Sequence, residues 1–357
     1  MIGIHDRILV TGGAGFIASH FIRSCLEQGR ESILSVDKRT YAATMAVGEE
    51  RHRAVRGDIG DRALIASIIR EYRPIAVVNF AAETHVDRSI LFPSDFLQSN
   101  VMGVFNLLEE VREYWKDLPD PDKDRFRFLQ VSTDEVYGSL ALDAPPCDEN
   151  APFAPNSPYA ATKAAADHLA RVYFVTYGFP TTVARCCNNY GACQYPEKLI
   201  PLMILRAVAG DILPVYGDGN QIRDWLYVGD HCKALSLILE IGRPGETYNI
   251  SAQAELTNLE VVRKLCALLD EIRPRKSGTY AELIRHVADR PGHDRRYALN
   301  SARIRGELGW QPDETFASGL EKTVRWYLDN IAWMHAVTGH ETFADWVALN
   351  YHQRRVL

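Results

Sequence analysis

The chain has 357 residues, 46% of them hydrophobic, and a formal net charge of −6. That is enough apolar material for a sizeable core and enough length for two domains, or for one large α/β domain with a smaller cap. The acidic balance lacks the basic stripe of a nucleic-acid binder, no apolar run approaches the ~20 residues of a membrane-spanning helix, and seven scattered cysteines without C-x-x-C or Cys/His spacing argue against a disulfide framework and against a metal site.

The N-terminus enters a strand with no secretion signal before it, so the expected location is the cytoplasm. Arg7–Thr11 is an apolar run stopped by glycines. Phe16–Gln28 has helical periodicity and ends at Gly29. Strands follow at Ile33–Val36 and Ala54–Gly57, then a helix from Asp61 to Glu71. Ile75–Phe80 is apolar on both faces, as a central parallel strand must be. Asp95–Trp115 reads as one long helix and Phe126–Ser132 as the fifth strand. The Pro- and Asp-rich loop Ser139–Pro158 has the length of a functional lid or of a disordered segment. Ala160–Tyr177 is a helix and Thr181–Cys187 the sixth strand. The pair Cys186-Cys187 reads as two reduced thiols at a strand end. Such alternation predicts an α/β fold, a Rossmann-type doubly wound parallel sheet covered by helices.

The pattern changes after Asn188. Helices recur at Leu199–Ala209, Asp230–Ile241, Asn258–Leu269, Ala302–Leu308 and Phe316–Leu328, between short strands. Residues 1–187 are therefore read as the Rossmann domain, its sheet completed by segments near 225–245. Residues 188–330 form a smaller C-terminal binding domain. Residues 331–357 are an aromatic-rich, helical extension of unassigned role.

Thr11-Gly12-Gly13-Ala14-Gly15-Phe16-Ile17-Ala18 lies between the first strand and the first helix. Glycines let the backbone approach a pyrophosphate, and the helix end supplies amide donors and a positive dipole end. Position after the first strand makes this a dinucleotide motif, with Gly12, Gly15, Phe16 and Ile17 as contacts. The spacing Gly12-x-x-Gly15-x-x-Ala18 resembles that of extended short-chain dehydrogenases/reductases. Asp37 ends the second strand, where a carboxylate holds ribose hydroxyls and repels a 2′-phosphate, so NAD is favoured over NADP. Lys38 and Arg39 follow and leave NADP open.

Tyr159-Ala160-Ala161-Thr162-Lys163 puts Tyr and Lys on one helix face. A phenol is a poor base at neutral pH, and a neighbouring ammonium together with a nicotinamide cation is expected to lower its pKa. Ser132-Thr133-Asp134-Glu135-Val136-Tyr137-Gly138 sets two acids at the end of a central strand. Paired acids suit a reaction that takes a proton from carbon and gives one to a leaving hydroxyl.

With these stretches the chain resembles the dTDP-glucose 4,6-dehydratases over residues 7 to 330. The resemblance is also carried by Ala81–Ser89, Asn188–Gly191, Pro196–Pro201, Arg223-Asp224-Trp225 and Asp289–Tyr297. It implies that Tyr159, helped by Thr133 and Lys163, removes the sugar 4-hydroxyl proton, that Glu135 takes the C5 proton, and that Asp134 protonates the departing C6 hydroxyl. It adds Asp58, Ile59, Ala81, Ala82, Ser99 and Asn189 to the cofactor site. For the substrate it implies Lys198, Arg223 and Arg290 at the diphosphate, Asn188 and Asn258 at sugar or phosphate, and Pro214 and Tyr216 as a platform for the base. Thr84, Glu197, Leu199 and His293 complete that set. A homodimer follows by the same analogy. Ala18, Cys187, Ala192-Cys193, the segment Ala42–His52 and the long tail depart from the family pattern. A UDP-sugar 4,6-dehydratase, a nucleotide-sugar 4-epimerase and a dinucleotide-binding regulator remain as alternatives.

Overall fold

The computed structural model describes residues 2–30, 32–43, 51–339 and 343. In chain order the first half gives β1 (Ile8–Thr11), α1 (Phe16–Glu27), β2 (Ile33–Asp37), β3 (His52–Arg56), α2 (Arg62–Tyr72), β4 (Ala76–Asn79), α3 (Val86–Leu91), α4 (Pro93–Phe96), α5 (Val104–Lys116), α6 (Asp120–Arg125), β5 (Arg127–Thr133), α7 (Pro158–Tyr177) and β6 (Thr181–Cys186). The second half adds β7 (Asn188–Tyr190), α8 (Leu199–Ala209), β8 (Leu213–Tyr216), β9 (Ile222–Tyr227), α9 (Val228–Ile241), β10 (Thr247–Ile250), β11 (Glu255–Thr257), α10 (Asn258–Ile272), β12 (Ile284–Val287), α11 (Ala302–Leu308), α12 (Phe316–Asp329) and α13 (Ile331–Thr338).

Seven strands form one parallel sheet in the order β3-β2-β1-β4-β5-β6-β10. Chain direction through the sheet reverses between β1 and β4, which opens a crevice at their C-terminal ends. Helices keep the strands dry: α1 packs on α9, while α5 packs on α2 and on α7. Behind the crevice a buried side-chain ladder ties the ends of β1 and β4 to the middle of β5. Thr11 Oγ1 donates to Asn79 Oδ1 at 2.5 Å, and Asn79 Nδ2 donates to Gln130 Oε1 at 2.8 Å. Fully bonded polar networks of this kind fix one arrangement of the groups they join.

Several expectations are corrected. α9 does return to the sheet near 225–245, but the strand that follows it is β10, whose four residues carry too short a pattern to stand out. Asp95–Trp115 is not one α-helix: α4 leads into π-turns at Leu97–Gly103 and then α5. At the π segment the buried Asn100 accepts from Glu83 N at 2.8 Å and donates to Glu83 O and Thr162 Oγ1, each at 3.0 Å. A widened helical turn thereby fastens the loop after β4 to α7. α7 begins at Pro158, because Ser157 Oγ accepts from Ala160 N at 3.1 Å and Pro158 takes the first helical position. Tyr159 is thus already helical.

The loop after Ser139 is not a free lid. Leu140 N donates to Arg296 O at 2.9 Å, Cys147 N to Ala298 O at 2.9 Å and Asn300 N to Cys147 O at 2.8 Å. A second buried cluster, with Ile204, Leu265 and Val324, joins α8, α10 and α12. Met334 of α13 and Phe343 are buried in it. The rest of the expected helical tail, residues 340–342 and 344–357, and residues 44–50 of the segment after β2, lie outside the described residues.

Candidate active site

The loop after β1 reaches the end of β4 closely. Gly12 has φ +70°, and a Cβ there would stand 2.7 Å from Ala81 N, so only glycine fits the turn. No side chain caps α1, and its first residues, Phe16 and Ile17, line the large cavity with Gly12 and Gly15. An uncapped helix end with its amides turned to a cavity fits a pyrophosphate. Asp37 Oδ2 accepts from Ala14 N at 3.0 Å and Oδ1 from Arg39 N at 2.6 Å. Each oxygen keeps a lone pair for a ribose hydroxyl. Lys38 is paired with Glu83 at 2.8 Å and so is already engaged, which weakens the NADP alternative. Lys38, Asp58, Ile59, Ala81, Ala82, Ser99 and Asn189 line the same cavity, as do Tyr159 and Lys163.

At its inner end stand Thr133, Asp134 and Glu135. The backbone leaves β5 into a 3-10 turn, Asp134–Tyr137, in which Thr133 Oγ1 accepts from Glu135 N at 3.3 Å. The turn is pinned from behind. Tyr137 donates to Asn249 Oδ1 at 3.0 Å and accepts from Arg185 Nη1 at 2.6 Å, while Arg185 is paired with the buried Asp167 at 2.8 Å. Gly138 ends the turn at φ +76°, where a Cβ would collide with Ala154 O.

The two adjacent acids have different surroundings. Burial, and then the charge of Glu135, holds the Asp134 carboxyl well above the usual range. Its Oδ1 accepts from Thr133 at 3.2 Å, and its Oδ2 is buried without a hydrogen-bond partner. Burial also raises Glu135, but Arg290, Arg223 and Lys198 pull it down. Both carboxyls are thus raised, and Asp134 is the one whose surroundings more strongly favour holding a proton.

Tyr159 departs from expectation. Burial, with Glu135 adding, pushes its hydroxyl well above the usual range, and only a hydrogen bond from Thr133 pulls it down. Lys163 is itself pushed down by burial and donates to Val131 O at 2.6 Å. The ammonium is held by a carbonyl, so burial dominates the phenol in the chain alone. A cation from outside the chain is needed to favour the phenolate, and an oxidised nicotinamide has that charge.

A second cavity adjoins the first; Thr84, Glu135, Asn188, Glu197 and Lys198 line both. Leu199, Pro214, Tyr216, Arg223, Asn258, Arg290 and His293 line the second, so all the expected substrate residues come together. Lys198 Nζ donates to Thr84 O at 3.0 Å. Arg223 donates from Nη1 to Ile222 O at 2.7 Å and from Nη2 to Asp294 O at 2.9 Å, with Tyr297 under its guanidinium at 4.2 Å. It supplies charge to the cavity more than open donors. Burial pushes His293 down to about 4, so it is neutral. His85, Asp87, Trp225 and Tyr297 also line this cavity; they lie in stretches that carry the resemblance, but the sequence assigns them no role. Their chemistry comes from partners remote in the chain.

Fold and site together define an enzyme of the Rossmann-type short-chain dehydrogenase/reductase class with two added acids. The family described as GDP-mannose 4,6 dehydratase matches residues 9–323, and the chain belongs to it. Among its relatives is a dTDP-glucose 4,6-dehydratase of Xanthomonas campestris pv. campestris, 52% identical over 92% of this chain and 95% of that protein. Another, from Salmonella typhimurium, is 48% identical over 98% of this chain and 100% of its own. The crystal structure of a dTDP-glucose 4,6-dehydratase from Streptomyces venezuelae, with NAD bound, has a TM-score of 0.83 at 43% identity, covering 93% of this chain and 99% of that one.

Proposed function

We propose that the protein removes water from dTDP-glucose to give the 4-keto-6-deoxy sugar, using NAD that is regenerated in each turnover. The observation that carries this reading is the grouping of Thr133, Asp134, Glu135, Tyr159 and Lys163 at the inner end of the cofactor cavity, with Asp134 buried, one oxygen bonded to Thr133 and the other without a partner. When bound, NAD supplies a hydride acceptor and donor beside the sugar. Tyr159, hydrogen-bonded to Thr133, takes the proton of the 4-hydroxyl. A 4-ketone acidifies the neighbouring C5–H, and Glu135 takes that proton. Asp134 gives its own proton to the departing 6-hydroxyl, so that water leaves. Epimerisation at C4 loses no hydroxyl and has no use for a buried acid at this position.

The diphosphate is assigned to Arg290 and Lys198, with Arg223 contributing charge, and the base to the strand Leu213–Tyr216, chiefly Pro214 and Tyr216. Residues 188–330 are taken as the main substrate-binding part. Among the described residues no helix is long and apolar enough to cross a membrane; we place the protein in the cytoplasm. A homodimer is assigned to the surface of α3, α4, the π segment and α7, which contact one another. There Phe92 is 54%, Leu97 55% and Val175 64% exposed, an apolar set that water disfavours.

Purified protein should be offered dTDP-glucose, UDP-glucose, GDP-mannose and UDP-galactose, with products scored by mass. Loss of water from dTDP-glucose in preference to the others is expected. A product of unchanged mass from UDP-glucose would replace this reading with epimerisation.

A further inference from the structure

Asp87 sits on α3, in the cofactor half, yet its carboxylate reaches the nucleotide side. Oδ2 accepts from the Tyr216 hydroxyl at 3.2 Å, and Oδ1 lies 3.4 Å from Nη1 of Arg290. The side chain is 6% exposed and lines the substrate cavity. A carboxylate beside a diphosphate is unfavourable on charge alone, because like charges a few ångströms apart repel. Arg290 gives the reason for it. Its Nη1 is taken by Asp87, whereas its Nε is buried with no hydrogen-bond partner in the protein. A guanidinium offers parallel donors along its Nε–Nη edge, matched to two phosphate oxygens. Anchoring Nη1 leaves that edge for an incoming anion. The other partner, Tyr216, is packed edge-on by His293, with ring centroids 6.2 Å apart.

We infer that Asp87 is a positioning residue for the nucleotide end of the substrate, holding Arg290 and Tyr216 so that the free edge of Arg290 meets the diphosphate. The inference rests on the nucleotide-sugar reading above. Its distinguishing feature is sign: a positioning carboxylate strengthens anion binding, while a merely adjacent one weakens it.

The test is calorimetric titration of the NAD-loaded protein with dTDP, and with UDP in parallel. Asp87→Ala is expected to weaken dTDP binding about ten- to a hundredfold, the effect of losing a charge-assisted anchor. Bound NAD and the melting midpoint should stay as in the wild type, and the kinetic defect should fall on KM with kcat largely kept. Asp87→Asn keeps the shape; its amide oxygen can still accept from Arg290 and its NH2 can donate to the Tyr216 oxygen in place of accepting from it, so binding should stay within about threefold. Asp87→Glu keeps the charge but moves the carboxylate by one methylene and should weaken binding. Unchanged or tighter dTDP binding in Asp87→Ala overturns the inference. If that variant does not fold, the other two decide: Asn strong and Glu weak supports it, and the reverse order overturns it. A wild type that binds UDP and not dTDP would refute the base assignment instead, and the Asp87 series is then read with UDP.

Discussion

At Asp134 and Glu135, one peptide bond apart, the surroundings separate two carboxyls that are chemically near-equal. Burial raises both; at Asp134 the charge of Glu135 adds to it, whereas at Glu135 the cations Arg290, Arg223 and Lys198 offset part of it. The assignment predicts different failures. Asp134→Asn keeps the shape but is a far weaker acid, so turnover should fall by ~10²–10⁴-fold, the usual contribution of general acid catalysis. In D2O this variant should still exchange the C5 hydrogen of the sugar, because Glu135 remains. Glu135→Gln should abolish that exchange. Mass spectrometry of recovered substrate separates the two, and exchange surviving in Glu135→Gln would refute the roles. These residues were legible in the sequence because their chemistry lies within short spacings: Gly12 to Gly15, Thr133 to Glu135, Tyr159 to Lys163. Asp87 was not, since its partner Arg290 is 203 residues away. Nor was the raised phenol of Tyr159, because burial outweighs a neighbour that the spacing places correctly.

Elements with a long, strong period were readable, and those whose form depends on tertiary contacts were not. α8 and α11 have the predicted ends, whereas the π-turns at Leu97–Gly103 answer to the bonds of Asn100 and leave no mark in the periodicity. α9 was foreseen as a helix returning to the sheet, but its buried polar group was not. His231 is fully buried, with Nδ1 2.9 Å from Asn189 Oδ1. Asn189 Nδ2 donates to Cys187 O at 3.0 Å, so its oxygen faces the ring and Nδ1 carries the proton. Burial pushes His231 down to about 3. The folded value is below the ordinary ~6.5, so the unfolded chain takes up this proton first and the stabilisation, complete above about pH 6.5, is lost as pH falls toward 3. The expected loss is about 1.4 kcal/mol per pH unit in that window. Urea unfolding of wild type and His231→Gln at pH 7 and pH 5 measures it. The variant should lose less on acidification, and equal losses would mean that another group is responsible.

On the scale of the whole molecule, the Rossmann sheet carries the Gly loop, the acids and Tyr159, while the second half supplies most of the lining of the second cavity. The halves meet at the loop after β4 and the start of α3, where Thr84 accepts from Lys198 and Asp87 holds Tyr216 and Arg290. α3 also leads into the exposed apolar surface assigned to the dimer. Leu97→Glu combined with Val175→Glu should therefore give monomers by sedimentation equilibrium with NAD still bound. A double variant that remains dimeric would move the interface elsewhere.

One site is held to oxidise the sugar, eliminate water and reduce the product, keeping the hydride taken from C4 and returning it to C6. The most direct measurement follows dTDP-glucose labelled with deuterium at C4, converted by the purified protein without added reductant. The expected product is lighter by one water, with the deuterium on C6 and one solvent hydrogen at C5. A product that has lost the label, or one that keeps all its oxygen atoms, would contradict it.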